Sequence, residues 1–220
     1  MDDRKTEAFL MPKHPKRALT EAELQRMREA CQSKRDLAIV EFLRTTGCRA
    51  HEMLFTLIGD VDLDNGRVYL RKTKARVEWR FREGKREFKG SKVIPRFSFL
   101  DAVAVEALRV YIEERKAENA TEADPIFTID QNSERDARMV RYIIKRLAKA
   151  AKIPDWKYIS PHYLRHTAAT VNQSSGYPTK YIKEIMGWSQ TSRTFEKIYE
   201  HGDLDMMQKL HKKMVEHKGE

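Results

Sequence analysis

Two segments of the chain carry apolar residues at helical spacing over several turns. The first runs from Leu100 to Ile112 and the second from Met139 to Ala151. In both segments the apolar residues recur three and four positions apart, which places them on one face of an α-helix. Such stripes pack into a core far more often than they bind a cofactor. The chain must therefore fold around at least two amphipathic helices, and its 220 residues are enough for one large domain.

Start and stop signals predict further helices on both sides of these two. Thr20 followed by Glu23 has the pattern of a capping box, Gly47 is a typical helix end, and Ser160-Pro161 is a typical helix start. One helix is thus expected to begin at Thr20. The others are expected over residues 35–46, 49–57, 160–173, 178–187, 194–199 and 203–214.

Between the two groups of helices the pattern changes to short strands. Asp64-Asn65-Gly66 is a turn signal, and Gly84 separates two of the segments that follow it. The expected strands are Arg67–Arg71, Val77–Arg82 and Phe88–Ile94. The predicted fold is therefore mainly α with a small antiparallel three-stranded sheet, an α+β arrangement.

Almost all of the excess positive charge lies in this predicted sheet. Residues 67–96 hold 12 Lys or Arg against 3 Asp or Glu, whereas the chain as a whole has 43 against 33 and a net charge of +10. Such a cluster favours a polyanionic partner, either nucleic acid or an anionic membrane, and phosphate tracking is preferred over a merely solvated surface. No apolar stretch is long enough to span a bilayer, so no membrane-spanning segment is expected.

The first 19 residues are charged, contain Pro12 and Pro15, and predict an arm or linker. They lack the apolar region of a secretory signal. Cys31 and Cys48 have no metal-ligand spacing and are expected to be reduced, as in a cytoplasmic protein.

The strongest chemical cluster is the segment SPHYLRHTAAT at residues 160–170. On a helix, His162, Arg165 and His166 share one face. Arg binds phosphate with a planar fork of donors, and His exchanges protons near neutral pH. The set suits an anion that is held while a proton moves. A solvated helix face is the other interpretation, and a zinc site is weaker because the HExxH pattern is missing.

Two further clusters carry possible site residues. In TGCRAHE, residues 46–52, Arg49 begins a helix and Glu52 lies on its face; a phosphate site and an ordinary ion pair are both compatible with this spacing. Near the end, Trp188 follows Gly187, and Tyr199 begins Tyr-Glu-His. Trp188 is either a core aromatic or a donor to phosphate. A phenol with a pKa near ~10 becomes a nucleophile only beside cationic groups.

Together and in this order, the clusters resemble the tyrosine recombinase (phage integrase) family. TGCRAHE fits its TGxRxxE box, His162-Tyr163-Leu164-Arg165-His166 fits HxLRH, and Gly187-Trp188 precedes a YxH nucleophile box at Tyr199. Thr73-Lys74 fits the hairpin lysine of the family. The resemblance covers about residues 20–202 as a catalytic domain, which leaves an arm at 1–19 and a C-terminal helix or tail at 203–220.

The resemblance implies a reaction and a role for each residue. Tyr199 would attack the scissile phosphate and form a 3′-phosphotyrosyl link, and Lys74 would protonate the leaving 5′-oxygen. The phosphate would be held by Arg49, Arg165, His162 and Trp188. His166 and Glu52 would support these groups. No metal or other cofactor is implied, because the bond energy is kept in the phosphotyrosine. The partners implied are double-stranded DNA and further copies of the chain. The chain is expected to be a monomer that forms a tetramer on DNA, in the nucleoid.

Three departures from the family pattern leave alternatives open. Trp188 and Tyr199 are farther apart than is usual, so Tyr181 is kept as a distant alternative nucleophile. Lys72 and Lys85 compete with Lys74 as the general acid. The helical DNA-clamping domain that usually precedes the catalytic one cannot be formed by the first 19 residues.

The basic residues expected to contact DNA lie on and between the predicted strands. They are Arg71, Lys72, Arg76, Lys85, Arg86 and Lys89. Two other functions share the fold that the resemblance implies: relaxation of DNA by a type IB topoisomerase, and DNA binding by a non-catalytic regulator. A protein with a phosphate site but no DNA partner is disfavoured by the basic sheet.

Overall fold

The computed structural model describes residues 17–71, 76–82, 85–92, 94–128 and 137–189. Within these ranges the chain forms helices and short strands, with a single-turn 3-10 helix at Ile58–Asp60 and another at Trp156–Tyr158. The α-helices are α1 (Glu21–Glu29), α2 (Lys34–Thr46), α3 (Ala50–Leu54), α4 (Ala102–Ala117), α5 (Ala137–Ala150), α6 (Pro161–Ser174) and α7 (Thr179–Ile185). The strands are β1 (Val61–Asp62), β2 (Arg67–Leu70), β3 (Arg76–Arg82), β4 (Lys85–Lys92) and β5 (Arg96–Phe99).

The capping signals in the sequence position the helix ends as predicted. The backbone N–H of Glu23 donates to Thr20 Oγ1 over 3.3 Å, and the N–H of Thr20 donates back to Glu23 Oε2 over 2.9 Å. Helix α2 ends at Gly47, which has a left-handed φ of +56°. A Cβ at this position would lie 2.6 Å from Met186 Sδ, so glycine also allows the end of α2 to approach the end of α7.

The two amphipathic helices predicted from their stripes are confirmed, and their apolar faces are buried. Helix α4 buries Ala104, Leu108 and Tyr111 among others, and α5 buries Val140, Ile143 and Leu147. Between them lies α2, whose residues from Ala38 to Leu43 are all buried. Helix α2 packs against α4, α5 and α6, so it forms the centre of the core. No helix in the described part of the chain is long and apolar enough to cross a membrane.

The predicted three-stranded antiparallel sheet is present, but two of its strands are not those expected. Its order is β1-β2-β5, and only β2 matches a predicted strand. The predicted strands Val77–Arg82 and Phe88–Ile94 correspond to β3 and β4, which pair with each other as a separate antiparallel hairpin. The fold class is therefore confirmed and the assignment of strands to the sheet is corrected.

Strand β5 explains this error, because its pattern of exposure opposes its hydropathy. Arg96 and Ser98 are buried, whereas Phe97 and Phe99 are 57% and 43% exposed. A buried face is normally recognised by alternating apolar residues. Here the buried face is polar: Ser98 Oγ donates to the carbonyl oxygen of Thr46 over 3.1 Å, and Arg96 enters the interior.

The third helix is also shorter than expected, since α3 ends at Leu54 and not at residue 57. The 3-10 turn at Ile58–Asp60 follows it, and Asp60 Oδ2 accepts a hydrogen bond from the backbone N–H of Leu57 over 3.1 Å. The helices predicted over 194–199 and 203–214 lie outside the described residues, as do residues 1–16 of the arm predicted over 1–19.

Candidate active site

A cavity of about 190 Å³ opens where the starts of α3, α5 and α6 meet. It is lined by three of the residues that the sequence motifs pointed to, Arg49, His162 and Arg165. Arg49 lies more than 100 positions before His162 and Arg165 in the sequence, and the fold brings the three residues to one surface. Arg141 of α5 lines the same cavity. Three guanidinium groups and an imidazole around one small opening make a site for an anion.

Arg49 is held at the mouth of the cavity by the first turn of α3. Its backbone N–H donates to Glu52 Oε2 over 2.8 Å, and its Nη1 donates to Glu52 Oε1 over 2.9 Å. The Arg49 side chain is still 28% exposed, whereas that of Glu52 is fully buried. The ion pair thus orients Arg49 and leaves part of its guanidinium available to a ligand.

Arg165 is held more rigidly, in the wall behind Arg49. It is only 2% exposed, and it donates to the carbonyl oxygens of Gly47, over 2.6 Å, and of Met186. Burial, together with the nearby cations Arg49 and Arg96, lowers the pKa of Arg165 to about 9. The guanidinium therefore keeps its charge at neutral pH, in a setting of low polarity that strengthens attraction to an anion.

Trp188 covers the guanidinium of Arg165. Arg165 Cζ lies 4.7 Å from the centre of the indole ring, which is the geometry of a cation–π contact. The backbone N–H of Trp188 donates to the carbonyl oxygen of Lys183 over 2.8 Å and fixes the turn after α7. The structure thus brings Trp188 to the site as a ring packed on Arg165, and its role as a phosphate donor stays a prediction.

Glu52 receives a second cation from the opposite side. Arg96 donates to Glu52 Oε1 over 3.1 Å and to Oε2 over 2.7 Å, as a bidentate pair. Burial by itself raises the pKa of the Glu52 carboxyl, but hydrogen bonds and attraction from Arg96 and Arg49 outweigh it and hold the pKa at about 2. The expectation that Glu52 supports Arg49 agrees with this geometry, and Arg96 was not foreseen.

The two histidines of α6 take different positions. His162 is exposed and lines the cavity, whereas His166 is buried one turn farther on. The ring of His166 meets that of Tyr163 edge to face, with 6.3 Å between ring centres. His162 is therefore the one in place to contact a ligand, and His166 is buried against the ring of Tyr163.

The alternative nucleophile Tyr181 lies at a different opening. It lines a larger cavity of about 430 Å³ formed with β5 and α6, in which its ring stacks on Phe99 at 6.4 Å and contacts Tyr177 at 5.7 Å. None of Arg49, His162 and Arg165 lines this larger cavity. Its size alone does not make it the reactive site, because the arginine that lines it, Arg44, is paired with Glu41 and Asp101.

Other predicted site residues fall outside the described residues or on the hairpin. Lys72, Lys74 and Tyr199 are outside the described residues. Arg76 lies on β3, and Lys85, Arg86 and Lys89 lie on β4. Arg71 is exposed beyond the end of β2 and pairs with Asp60. The described side chains contain no group of three or more His, Cys, Asp or Glu that could hold a metal ion.

Two residues of the site were missed by reasoning from the sequence. Arg96 was counted only among the basic residues of 67–96, and Arg141 was not singled out. For Arg141 a signal existed, because Arg138, Arg141 and Lys145 follow helical spacing on the solvent face of α5. For Arg96 no local signal existed, since its partners are 44 and 89 positions away.

The sequence is similar to known proteins over most of its length. The model of the phage integrase family matches residues 17–205. Among curated proteins, tyrosine recombinase XerA of Saccharolobus solfataricus is 30% identical over 86% of this chain and 53% of its own length. XerA of Thermococcus kodakarensis is 28% identical over 96% of this chain and 68% of its own length.

Solved structures give the same result for the fold. A crystal structure of XerA recombinase superposes with a TM-score of 0.71 at 27% identity, covering 92% of this chain and 65% of that one. The Tn1549 transposon integrase in complex with circular intermediate DNA superposes with a TM-score of 0.65 at 20% identity, covering 92% of this chain and 68% of that one. The chain spans about half the length of the first curated relatives that it matches. The sequence match over most of the chain, together with the cavity of Arg49, His162 and Arg165, shows that this chain belongs to the phage integrase family, the family of the tyrosine recombinases.

Proposed function

We propose that the chain is the catalytic part of a site-specific DNA recombinase that cuts and rejoins strands through a covalent bond to Tyr199. The observation that carries this proposal is the convergence of Arg49, His162 and Arg165 on one cavity. Such a constellation fits a scissile phosphate that is held by two guanidinium forks while a nearby imidazole donates a hydrogen bond.

The proposed reaction is a pair of transesterifications. The phenol oxygen of Tyr199 forms a bond to phosphorus as the bond from phosphorus to the 5′-oxygen breaks, and the phenol proton leaves to solvent or a base. Lys74 donates a proton to the departing 5′-oxygen. The 5′-hydroxyl of another strand then attacks the phosphotyrosine and releases Tyr199. The number of phosphodiester bonds is conserved, so the proposal includes no metal and no nucleotide cofactor.

The described cations have separate tasks in this reaction. Arg165 cannot turn away, because two backbone carbonyls and Trp188 fix it, so it offers a preorganised positive charge to the phosphorane. Arg49 is more exposed and is positioned by Glu52 to meet the ligand at the cavity mouth. His162 lies on the accessible side of the same opening.

The proposed DNA surface combines the cavity with two sets of basic residues. The hairpin of β3 and β4 carries Arg76, Lys85, Arg86 and Lys89 in its sequence, and Arg71 and Lys72 precede it in the chain. Arg141 of α5, which lines the cavity, would add a further positive group. The DNA present in the Tn1549 integrase structure supports this partner. We further propose assembly into a tetramer on DNA, and residence in the cytoplasm on the nucleoid.

The test is capture of a covalent adduct. A library of nicked duplexes with a randomised central window is incubated with wild type and with Tyr199→Phe, then denatured, and the DNA that stays attached is sequenced. Wild type should yield an adduct on a defined sequence and Tyr199→Phe should yield none. Tyr181→Phe is the matched control and should retain the adduct, because Tyr181 lines the other cavity.

The outcomes separate the alternatives. An adduct that persists in Tyr199→Phe and disappears in Tyr181→Phe would overturn the assignment of the nucleophile. DNA binding without any adduct would indicate a non-catalytic regulator. Relaxation of supercoiled plasmid without a defined site would indicate a topoisomerase. A stable tetramer in light scattering without DNA would contradict assembly on DNA.

A further inference from the structure

Arg96 is a buried arginine that does not line the cavity of the candidate active site. It is 9% exposed and lies at the start of β5, on the face of the sheet turned toward α3 and α7. A buried arginine loses its hydrogen bonds to water and must replace them with hydrogen bonds to protein groups. Its contacts therefore show what the position is built for.

All three nitrogen atoms of the Arg96 guanidinium donate hydrogen bonds. Nη1 and Nη2 reach the two oxygens of Glu52, and Nε reaches the carbonyl oxygen of Ile185 over 2.9 Å. One planar group thus joins the start of α3 to the end of α7. A lysine could not make this set, since it has one nitrogen atom and no planar fork.

The contact with Glu52 affects how Arg49 is held. The two oxygens of Glu52 accept four hydrogen bonds, two from Arg49 and two from Arg96. Because Arg96 also donates hydrogen bonds to this carboxylate, only one guanidinium nitrogen of Arg49 is bound to it. Without Arg96, the buried carboxylate would attract the Arg49 guanidinium fully and withdraw it from the cavity.

The contact with Ile185 affects the other side of the site. Arg96 binds the carbonyl of Ile185 and Arg165 binds the carbonyl of the next residue, Met186. Gly187 then turns with φ of +67° against Arg96, where a Cβ would lie 2.8 Å from Nη1. This turn places the ring of Trp188 against the guanidinium of Arg165. Two guanidinium groups therefore set the path of the chain as it leaves α7.

We infer that Arg96 is a positioning residue of the active site, which sets Arg49 through Glu52 and sets Trp188 through the turn at residues 185–188. The inference rests on the proposed function for its kinetic consequence. Its structural consequence, the order of that turn, does not depend on catalysis.

The test compares Arg96→Met and Arg96→Lys with Arg115→Met as a matched control. Arg115 is also largely buried, and it also binds a carboxylate, Glu118, and a backbone carbonyl, that of Pro125, but it lies on α4 and lines neither cavity. Three quantities are measured on the whole chain: the single-turnover rate of adduct formation at saturating protein, the Kd for the same DNA, and hydrogen exchange of peptides over 182–189.

Loss of the Arg96 fork should slow adduct formation by about 10–100-fold, because misplacement of a reacting group by about 1 Å has effects of this size. The Kd should change by less than about threefold, since Arg96 lies outside the cavity. Exchange over 182–189 should speed up, while peptides of α1 keep their protection. Arg115→Met should leave the rate and the exchange over 182–189 unchanged. Arg96→Lys keeps a cation beside Glu52 and therefore folds, but it should not restore the rate.

Several results would overturn the inference. They are a wild-type rate in Arg96→Lys, an equal loss of rate in Arg115→Met, or unchanged exchange over 182–189 in both Arg96 variants. If wild type itself forms no adduct, the proposed function fails, and the exchange measurement still decides whether Arg96 positions the turn.

Discussion

Replacing Glu52 by Gln should make the stability of this protein less dependent on pH. Glu52 is 1% exposed, and as the charged carboxylate it accepts four hydrogen bonds, two from Arg49 and two from Arg96. Its pKa is held at about 2, against an ordinary value of 4.5. A lowered pKa in the folded state stabilises the fold above pH ~4.5, and this contribution is lost as the pH falls toward about 2.

The size of the effect follows from the pKa difference. Each unit corresponds to about 1.4 kcal/mol, so the ionised Glu52 contributes roughly 3 kcal/mol at neutral pH relative to a carboxyl that titrates normally. About 1 kcal/mol of this is lost by pH ~3.5. Gln cannot titrate, and its NH2 group faces arginine donors, so the variant is also destabilised by an amount that does not change with pH.

The assay is urea unfolding of wild type and Glu52→Gln at several pH values between about 7 and 3.5. The difference in free energy of unfolding should be constant above pH ~5 and should shrink by about 1 kcal/mol at the acidic end. Glu23→Gln is the comparison, since the pKa of Glu23 is also held at about 2, mainly by Arg17. Its effect should be smaller, because the Arg17 side chain is 42% exposed and screened by water.

A difference between wild type and Glu52→Gln that does not change over this range would refute the reasoning. It would mean that the buried carboxyl binds a proton in the fold as easily as in the unfolded chain. The arrangement of Glu52 between Arg49 and Arg96 would then lack the electrostatic role assigned to it.

Three other measurements test separate parts of the structure. Gly47→Ala should lower the free energy of unfolding by about 1–3 kcal/mol, because the residue has a left-handed φ and the added Cβ would meet Met186. The loss should be smaller for Gly176→Ala, where φ is +82° but no atom lies within 4 Å of the added Cβ, and equal losses would show that the contact with Met186 has no effect on stability. Arg141→Ala should weaken DNA binding and reduce the slope of log Kd against log salt by about 1, with Arg109→Ala as the control. The slope of log Kd against log salt should itself be about +0.9 per phosphate contact, because Kd rises with salt, and a flat response would exclude a phosphate-tracking surface.

The helices of this fold could be read from the sequence because their signals are local. The stripes of α4 and α5, the capping box at Thr20 and the left-handed Gly47 each depend on residues within a few positions of one another. The motif residues Arg49, His162 and Arg165 are far apart in the sequence, and it was the resemblance of their boxes to a known family that predicted that they meet.

The sheet and the supporting residues could not be predicted, because their reasons are not local. Strand β5 buries Arg96 and Ser98 and exposes two phenylalanines, so a rule based on apolar alternation assigns the wrong face or no strand at all. The burial of Arg96 makes sense only when Glu52 and Ile185 are both in place. The order of strands in a sheet is likewise not a local property. Here β3 and β4 pair with each other, and β2 pairs with β5, which follows both of them in the sequence.

The rigid attachment of Arg165 has a consequence for how a protein of this kind can lose its activity over evolution. Replacing Arg165 would leave the buried carbonyl oxygens of Gly47 and Met186 without this hydrogen-bond donor and the ring of Trp188 without its cation–π partner. Replacing the more exposed Arg49 would disturb little beyond its pairing with Glu52. A descendant selected only to bind DNA would be free to drift at Arg49 while selection for folding preserved Arg165. Among degenerate descendants of such a chain, an intact Arg165 would therefore say little about catalysis, and the state of Arg49 would say much more.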